Sequence, residues 1–294
     1  MQSATAPFEK IERKWRKRPE SDVYQTKSRM HSSGSNKTSE RRNAFFDYRF
    51  ASCGKLNQHG VRRAKAEELM TMESRLALFS IVVTGESHNP TILNPDFLHI
   101  REIVPHEWQG SVKVVQAITS PPFAIVAYSN GISVVVENEK LQVVDTSAPV
   151  DPPKSVAVQI ASKYVRTLPH VRYKAVGVNF HSVIVMDSAR EFLKKRFVKS
   201  GPWDSESDPL TAAGIRLMYT VSENGHVVFD LDAGEQKSSA QESATKSVVI
   251  VKANFHRGCE GYPAEKEVVG HLGHVKEDWD RYQRGLNMVL AQET

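Results

Sequence analysis

SVKVVQAITSPPFAIVAYSNGISVVVENEKLQVVD, residues 111–145, alternates short apolar runs with polar breaks and carries no helical period. Runs rich in Val, Ile, Ala and Tyr and bounded by Pro121-Pro122, Asn130-Gly131 and the polar stretch from Glu137 to Lys140 read as strands joined by tight connections. Asn130-Gly131 suits the φ > 0 positions of a type I′ turn, whose twist matches that of paired strands. The stretch is therefore expected to form an antiparallel meander over residues 112–145, interrupted at Pro121-Pro122.

Working outward, RLALFSIVV (75–83) is a buried strand ended by the breaker Gly85. HNPTILNPDFLHIREIVPHEW (88–108) holds two Asn-Pro turn signals, with Phe97, Leu98, Ile100 and Ile103 expected to anchor one short helix that Pro105 stops. After Asp151-Pro152-Pro153, the residues Val156, Ile160, Ala161, Tyr164, Val165 and Leu168 recur at 3.6 spacing and predict a helix ended by Pro169. Residues 173–186 return as a strand. Ser188 with Glu191 has the form of a capping box opening a helix that buries Phe192, Leu193 and Phe197. Residues 200–211 form a polar loop.

GIRLMYTVSENGHVVFDLD (214–232) is a second hairpin, turning at Asn224-Gly225. AGEQKSSAQESATKS (233–247) has no period and predicts a mobile excursion before SVVIVKANF (247–255) resumes the sheet. A last helix over 275–291 places Val275, Trp279, Tyr282, Leu286, Val289 and Leu290 on one stripe, with Lys276, Glu277, Asp280, Arg281 and Arg284 away from it. Hairpins require antiparallel pairing and amphipathic helices require a face to cover. The expected class is α+β, a largely antiparallel sheet with helices packed on one face. Residues 74–294 form this body, and 74–187 and 188–294 are candidate subdomains, since each half runs from strands into a helix.

Charge divides the 294-residue chain differently. Residues 1–73 hold 16 Lys+Arg against 9 Asp+Glu, whereas the remainder holds 23 against 25. The basicity belongs to the front segment, whose polar runs KIERKWRKRPE and SRMHSSGSNKTSERRN predict disorder. Two readings of that segment stand: a phosphate-holding arm with Trp15 among Arg and Lys, or a segment without a specific role, either a solvated tail or a mis-assigned start ahead of Met70 and Met72. Only Cys53 and Cys259 are present, which excludes a disulfide framework, and basic residues replace the apolar core of a secretory signal. A cytoplasmic protein without membrane attachment is expected.

Three groups of residues carry chemical potential. In HRGCEGYPAEKEVVGHLGH (256–274), His256, Cys259, His271 and His274 offer a thiolate and three imidazoles, a legitimate zinc set, although the spacing is not that of a familiar finger. The structural alternative is a strand end with a buried thiol, followed by the approach to a helix. His88, His99 and His106 with Asp96, Glu102 and Glu107 could serve acid and base chemistry. Asp230 and Asp232 share a strand face and could hold a divalent cation. Trp108, Tyr128, Trp203 and Trp279 are too scattered in sequence to form a base-stacking platform. No nucleophile elbow, phosphate loop, dinucleotide fingerprint, CxxC pair or kinase set occurs.

FSIVVTGESHNPTILNPDFL, the hairpin-rich middle, VVFDLD followed by a polar loop, SVVIVKANFH and the long amphipathic C-terminal helix together resemble a sporadically distributed family of uncharacterised prokaryotic proteins. The likeness spans about residues 76–291, and the basic segment departs from it. It implies a bacterial or archaeal soluble protein and transfers no residue role. The leading expectation is a non-catalytic binding or interaction module that meets a protein partner through the uncovered sheet face or an edge strand. The alternatives are a metal-assisted hydrolase using the His/Cys set or the aspartate pair, and a nucleic-acid binder using residues 1–73.

Overall fold

The computed structural model describes residues 74–237, 245–261 and 263–291. The basic arm, with Trp15 and Cys53, lies outside the described residues. In chain order the elements are β1 (Ser74–Glu86), α1 (Pro95–Ile100), β2 (Val114–Ser120), β3 (Phe123–Tyr128), β4 (Ile132–Glu137), β5 (Lys140–Asp145), α2 (Val156–Thr167) and β6 (Arg172–Val185). There follow α3 (Ala189–Phe197), β7 (Ile215–Ser222), β8 (Gly225–Lys237), β9 (Thr245–Gly258), α4 (Ala264–Leu272) and α5 (Val275–Leu290). Among the described residues no helix is long and apolar enough to cross a membrane.

Among the described residues, nine strands form one antiparallel sheet in the order β2-β3-β4-β5-β1-β6-β9-β8-β7. From β1 the chain travels to one end of the sheet and meanders back until β5 lies beside β1. From β6 it travels to the other end and meanders back until β9 lies beside β6. The seam between the two circuits is the β1–β6 pair, with Phe79 opposite Phe180, Ile81 opposite Val178 and Val83 opposite Val176. These six side chains are buried and face the helices. Their alternates, Ser80, Val82 and Thr84 opposite Asn179, Gly177 and Ala175, lie on the other face, as a two-residue period requires.

Phe180 is the hub of the helix-covered face. Its ring centroid lies 5.4 Å from Phe79, 5.8 Å from Phe255, 5.3 Å from Trp279 and 5.0 Å from Tyr282, so β1, β6, β9 and α5 meet at one side chain. On the other half α2 buries Ile160, Ala161, Tyr164 and Val165, and Tyr164 meets Phe97 of α1 edge-on at 6.2 Å. The start of α2 is tied to the end of β5: the Ser155 hydroxyl donates to Asp145 Oδ2 at 2.5 Å and accepts from the Ala157 N–H at 3.2 Å.

Several local expectations are revised. Ile100 is 74% exposed, because α1 ends there and Glu102 turns the chain with φ of 52°; Leu98 and Ile103 carry that anchor instead. Of Asn130-Gly131 only Gly131 has positive φ, and Gly131 N–H donates to the Tyr128 carbonyl, a three-residue loop in place of the two-residue type I′ turn. Neither Asn224 nor Gly225 is left-handed. Ser188 stands at the N-cap of α3 without a side-chain cap bond, and the Ala189 N–H is met by the Ser247 hydroxyl across the sheet. The excursion is shorter than its composition implies, since β8 and β9 stay paired out to Lys237 opposite Thr245; residues 238–244 lie outside the described residues. Helix α4 was masked in the sequence by Gly270 and the histidines.

Phe180→Ala removes one ring from four partners and is expected to cost about 3–5 kcal/mol. Urea unfolding followed by far-ultraviolet circular dichroism and by tryptophan fluorescence should show one coincident transition at a lower midpoint.

Candidate functional site

The four residues of the His/Cys stretch do not converge on one point. His256 lies on the open face of β9, its ring 4.9 Å from that of His226 on β8. Cys259 follows the strand, its N–H donating to the Lys174 carbonyl at 2.7 Å. Burial and the charge of Glu267 push its thiol up to about 11, which keeps it protonated and unreactive at neutral pH. His271 of α4 reaches the same corner and donates from Nε2 to the Gly258 carbonyl at 3.1 Å. His274, at the cap of α5, is exposed and bonds Glu277 at 2.9 Å. Among the described residues no three His, Cys, Asp or Glu side chains gather as a metal site.

The charged residue that the fold uses is Arg257, between the first two candidates. It continues the core-facing alternation Val251, Ala253, Phe255 into a buried position, where its guanidinium donates to both oxygens of Asp278 on α5 at 2.7 and 2.5 Å. Burial holds the Asp278 carboxyl above the ordinary carboxylate range, a rise that the Arg257 guanidinium offsets only in part. The signal was available in the sequence: a cation at a core-facing strand position and an anion on the apolar stripe of a helix need each other.

The second histidine group divides. His99 and His106 pack at 5.6 Å, while His88 is 4% exposed against Tyr173, ring centroids 5.8 Å apart. Neither His88 ring nitrogen has a hydrogen-bond partner. Gly85 makes room for it, since a Cβ there would stand 3.0 Å from His88 Nε2. His88 borders a cavity of about 770 Å³ rimmed by Glu86, Asn138, Glu139 and Lys174. Burial pulls its imidazole down to about 4, so it is neutral at physiological pH. Asp230 and Asp232 share a face as read, but Asp230 is taken by Arg216 in a two-point ion pair of 2.6 and 2.9 Å. Trp108 and Tyr128, distant in sequence, pack edge-on at 5.0 Å; Trp279 lies at the Phe180 cluster, and Trp203 is 58% exposed.

What remains accessible is the open face and the two edges. One row across the sheet reads Ile118, Ile125, Val135, Gln142, Val82, Gly177, His256, His226 and Thr220. Its β2–β4 end is apolar and its β8–β9 end carries imidazoles. At the centre a polar ladder crosses three strands: Asn254 donates to Asn179, which donates to the Ser80 hydroxyl at 3.3 Å. The edges differ. β7 carries the ion-paired Arg216, whereas β2, VVQAITS, has no charge, is exposed from Val114 to Thr119, and shows Val114, Val115 and Ile118 at 42%, 64% and 46% exposure. Its inner side pairs with β3 through a register shift near Val115, and its outer side has no strand partner among the described residues.

Comparison with protein-family models returns no match for the chain, and comparison with curated proteins returns no significant one.

Two measurements follow from these buried groups. Arg257→Met strands the Asp278 carboxylate and should cost about 3–5 kcal/mol in urea unfolding, and pairing it with Asp278→Leu should recover much of that loss. The second concerns acid. His88 is neutral when folded and takes a proton below its ordinary value of 6.5 when unfolded. The unfolded chain therefore binds more protons between about pH 6.5 and 4, and stability present above that window falls by up to about 1.4 kcal/mol per pH unit as pH drops through it. His181, held down to about 4 by burial and by Lys252, acts in the same direction. His88→Leu should flatten the slope by one proton in urea midpoints measured between about pH 7 and 4.5.

Proposed function

We propose that this protein is a non-catalytic interaction module that takes up an extended segment of a protein partner along β2. Exposed, uncharged, apolar edge strands are templates for strand addition, and folded proteins ordinarily guard them with charge, proline or a covering element. The observation that supports the reading is a difference in charge between the edges: β7 carries Arg216 beside its exposed Met218 and Tyr219, whereas β2 has no charge over seven residues and displays Val114, Val115 and Ile118. Main-chain hydrogen bonds would supply affinity. The adjoining apolar row Ile118, Ile125 and Val135 would receive alternate side chains of the incoming strand, which gives register and selectivity.

Val115→Lys and Ile118→Lys place charge on the edge without disturbing the core, so stability should change by less than about 0.5 kcal/mol. Native protein used as bait in its host's extract should retain a partner that slows hydrogen exchange in residues 114–120, and the double variant should lose both capture and protection. No captured protein, protection confined to other strands, or capture indifferent to the two lysines would contradict the proposal.

A further inference from the structure

At the opposite end of the sheet, α5 does not cover the last strands completely. It leaves an apolar groove of about 380 Å³ against β7 and β8, lined by Leu217, Tyr219, Phe229 and Met288 and by Phe197 of α3. That volume is within the range of small-molecule sites, which combine an apolar body with a few polar groups that orient the ligand. The polar groups here are Arg281 and Arg284, which border the groove from α5. Spacing alone puts these arginines on the solvent side of the helix; the groove gives them an apolar neighbour. Neither makes an ion pair among the described residues, and the three acidic residues of the helix are already occupied: Asp278 by Arg257, Asp280 by Lys276 and Glu277 by His274. Gly285 sets the groove's depth. A Cβ at that position would stand 2.6 Å from the Phe229 ring, so glycine lets the ring seat beneath the helix.

We infer that this groove binds a small amphipathic monocarboxylate, its hydrocarbon or aryl body against Tyr219, Phe229 and Met288 and its carboxylate on the guanidinium groups of Arg281 and Arg284. An uncharged apolar ligand would leave both arginines unanswered. A dianion without an apolar body would leave the aromatic wall wet. Guanidinium matches carboxylate geometry through two parallel hydrogen bonds, and the apolar wall beside it strengthens that contact by excluding water. The site is separate from β2, and its occupancy does not depend on strand addition there.

Decanoate and 1-naphthoate serve as aliphatic and aromatic probes, with decan-1-ol as the uncharged control, each titrated into the full chain. Binding is read by calorimetry and by the Met288 methyl resonance in ¹³C-methyl-methionine protein. At least one acid should bind saturably below about 1 mM and shift Met288. Binding should weaken at least about tenfold for the alcohol and for Arg281→Gln/Arg284→Gln, and should vanish in Met288→Trp, which fills the groove from an exposed position. Which acid binds more tightly identifies the body as aliphatic or aromatic. Equal affinity for acid and alcohol, saturation without a Met288 shift, or no saturable binding of either acid would overturn the inference. The acid and alcohol comparison on unaltered protein decides the matter even if the double variant fails to fold.

Discussion

The fold depends on the register of β1 against β6. Each strand closes a separate meander, and among the described residues no other strand pair joins the two circuits; on the helix side, α2 against α4 and α5 against residues 152–154 add further contacts between the halves. Because side chains alternate with a period of two, a slip of one residue would carry Phe79, Ile81 and Val83 to the open face and bring Ser80 and Val82 beneath the helices. The native register is favoured by what it places together: Phe180 sits opposite Phe79 and under Trp279 and Tyr282. The open face adds a polar check, since Ser80, Asn179 and Asn254 align across three strands only in this register.

The C-terminal helix converts that seam into a covered core, and its attachments are of two kinds. Near its start the buried Arg257–Asp278 pair fixes orientation, a costly arrangement in desolvation that is tolerated because both carboxylate oxygens are bonded. Farther along, Tyr282 and Gly285 bring the helix axis down on Phe180 and Phe229. Beyond Gly285 the helix reaches the edge of the sheet, where Met288 stays exposed and the groove opens. The position of the groove therefore follows from how the helix is anchored.

Legibility in the sequence tracks how local the cause is. The meander, both hairpins, the antiparallel sheet and the long final helix were readable because alternation and 3.6 spacing are written within each element. The turn types were not, because Asn130 and Gly225 accept more than one conformation and the surrounding pairing chooses among them. The short α4 was obscured by Gly270 and by a histidine spacing that invited a metal reading. Candidate sites were the least legible part. His256, His271 and His274 stand close in sequence, yet a strand, a helix and a helix cap send their side chains to different surroundings. His88 was noticed for company it does not keep, and its actual distinction, an imidazole buried without a partner, is a tertiary property. Arg257 and Asp278 could have been found, since each breaks an apolar pattern at a position that the pattern itself marks as inward.

With the helices committed to one face, recognition is left to the open face and the two ends of the sheet, and these differ in chemistry: an uncharged apolar edge at β2, and an arginine-bordered aromatic groove at β7. Both ends depend on the central pair, which the packing of α2 on α4 supports from the helix side. Native-state hydrogen exchange across the whole chain is the most direct measurement of that dependence. The amides of residues 79–83 and 176–180 should be among the slowest in the protein and should open only with global unfolding. Exchange of the β1–β6 amides through a local opening, while either flanking meander stays protected, would contradict the account.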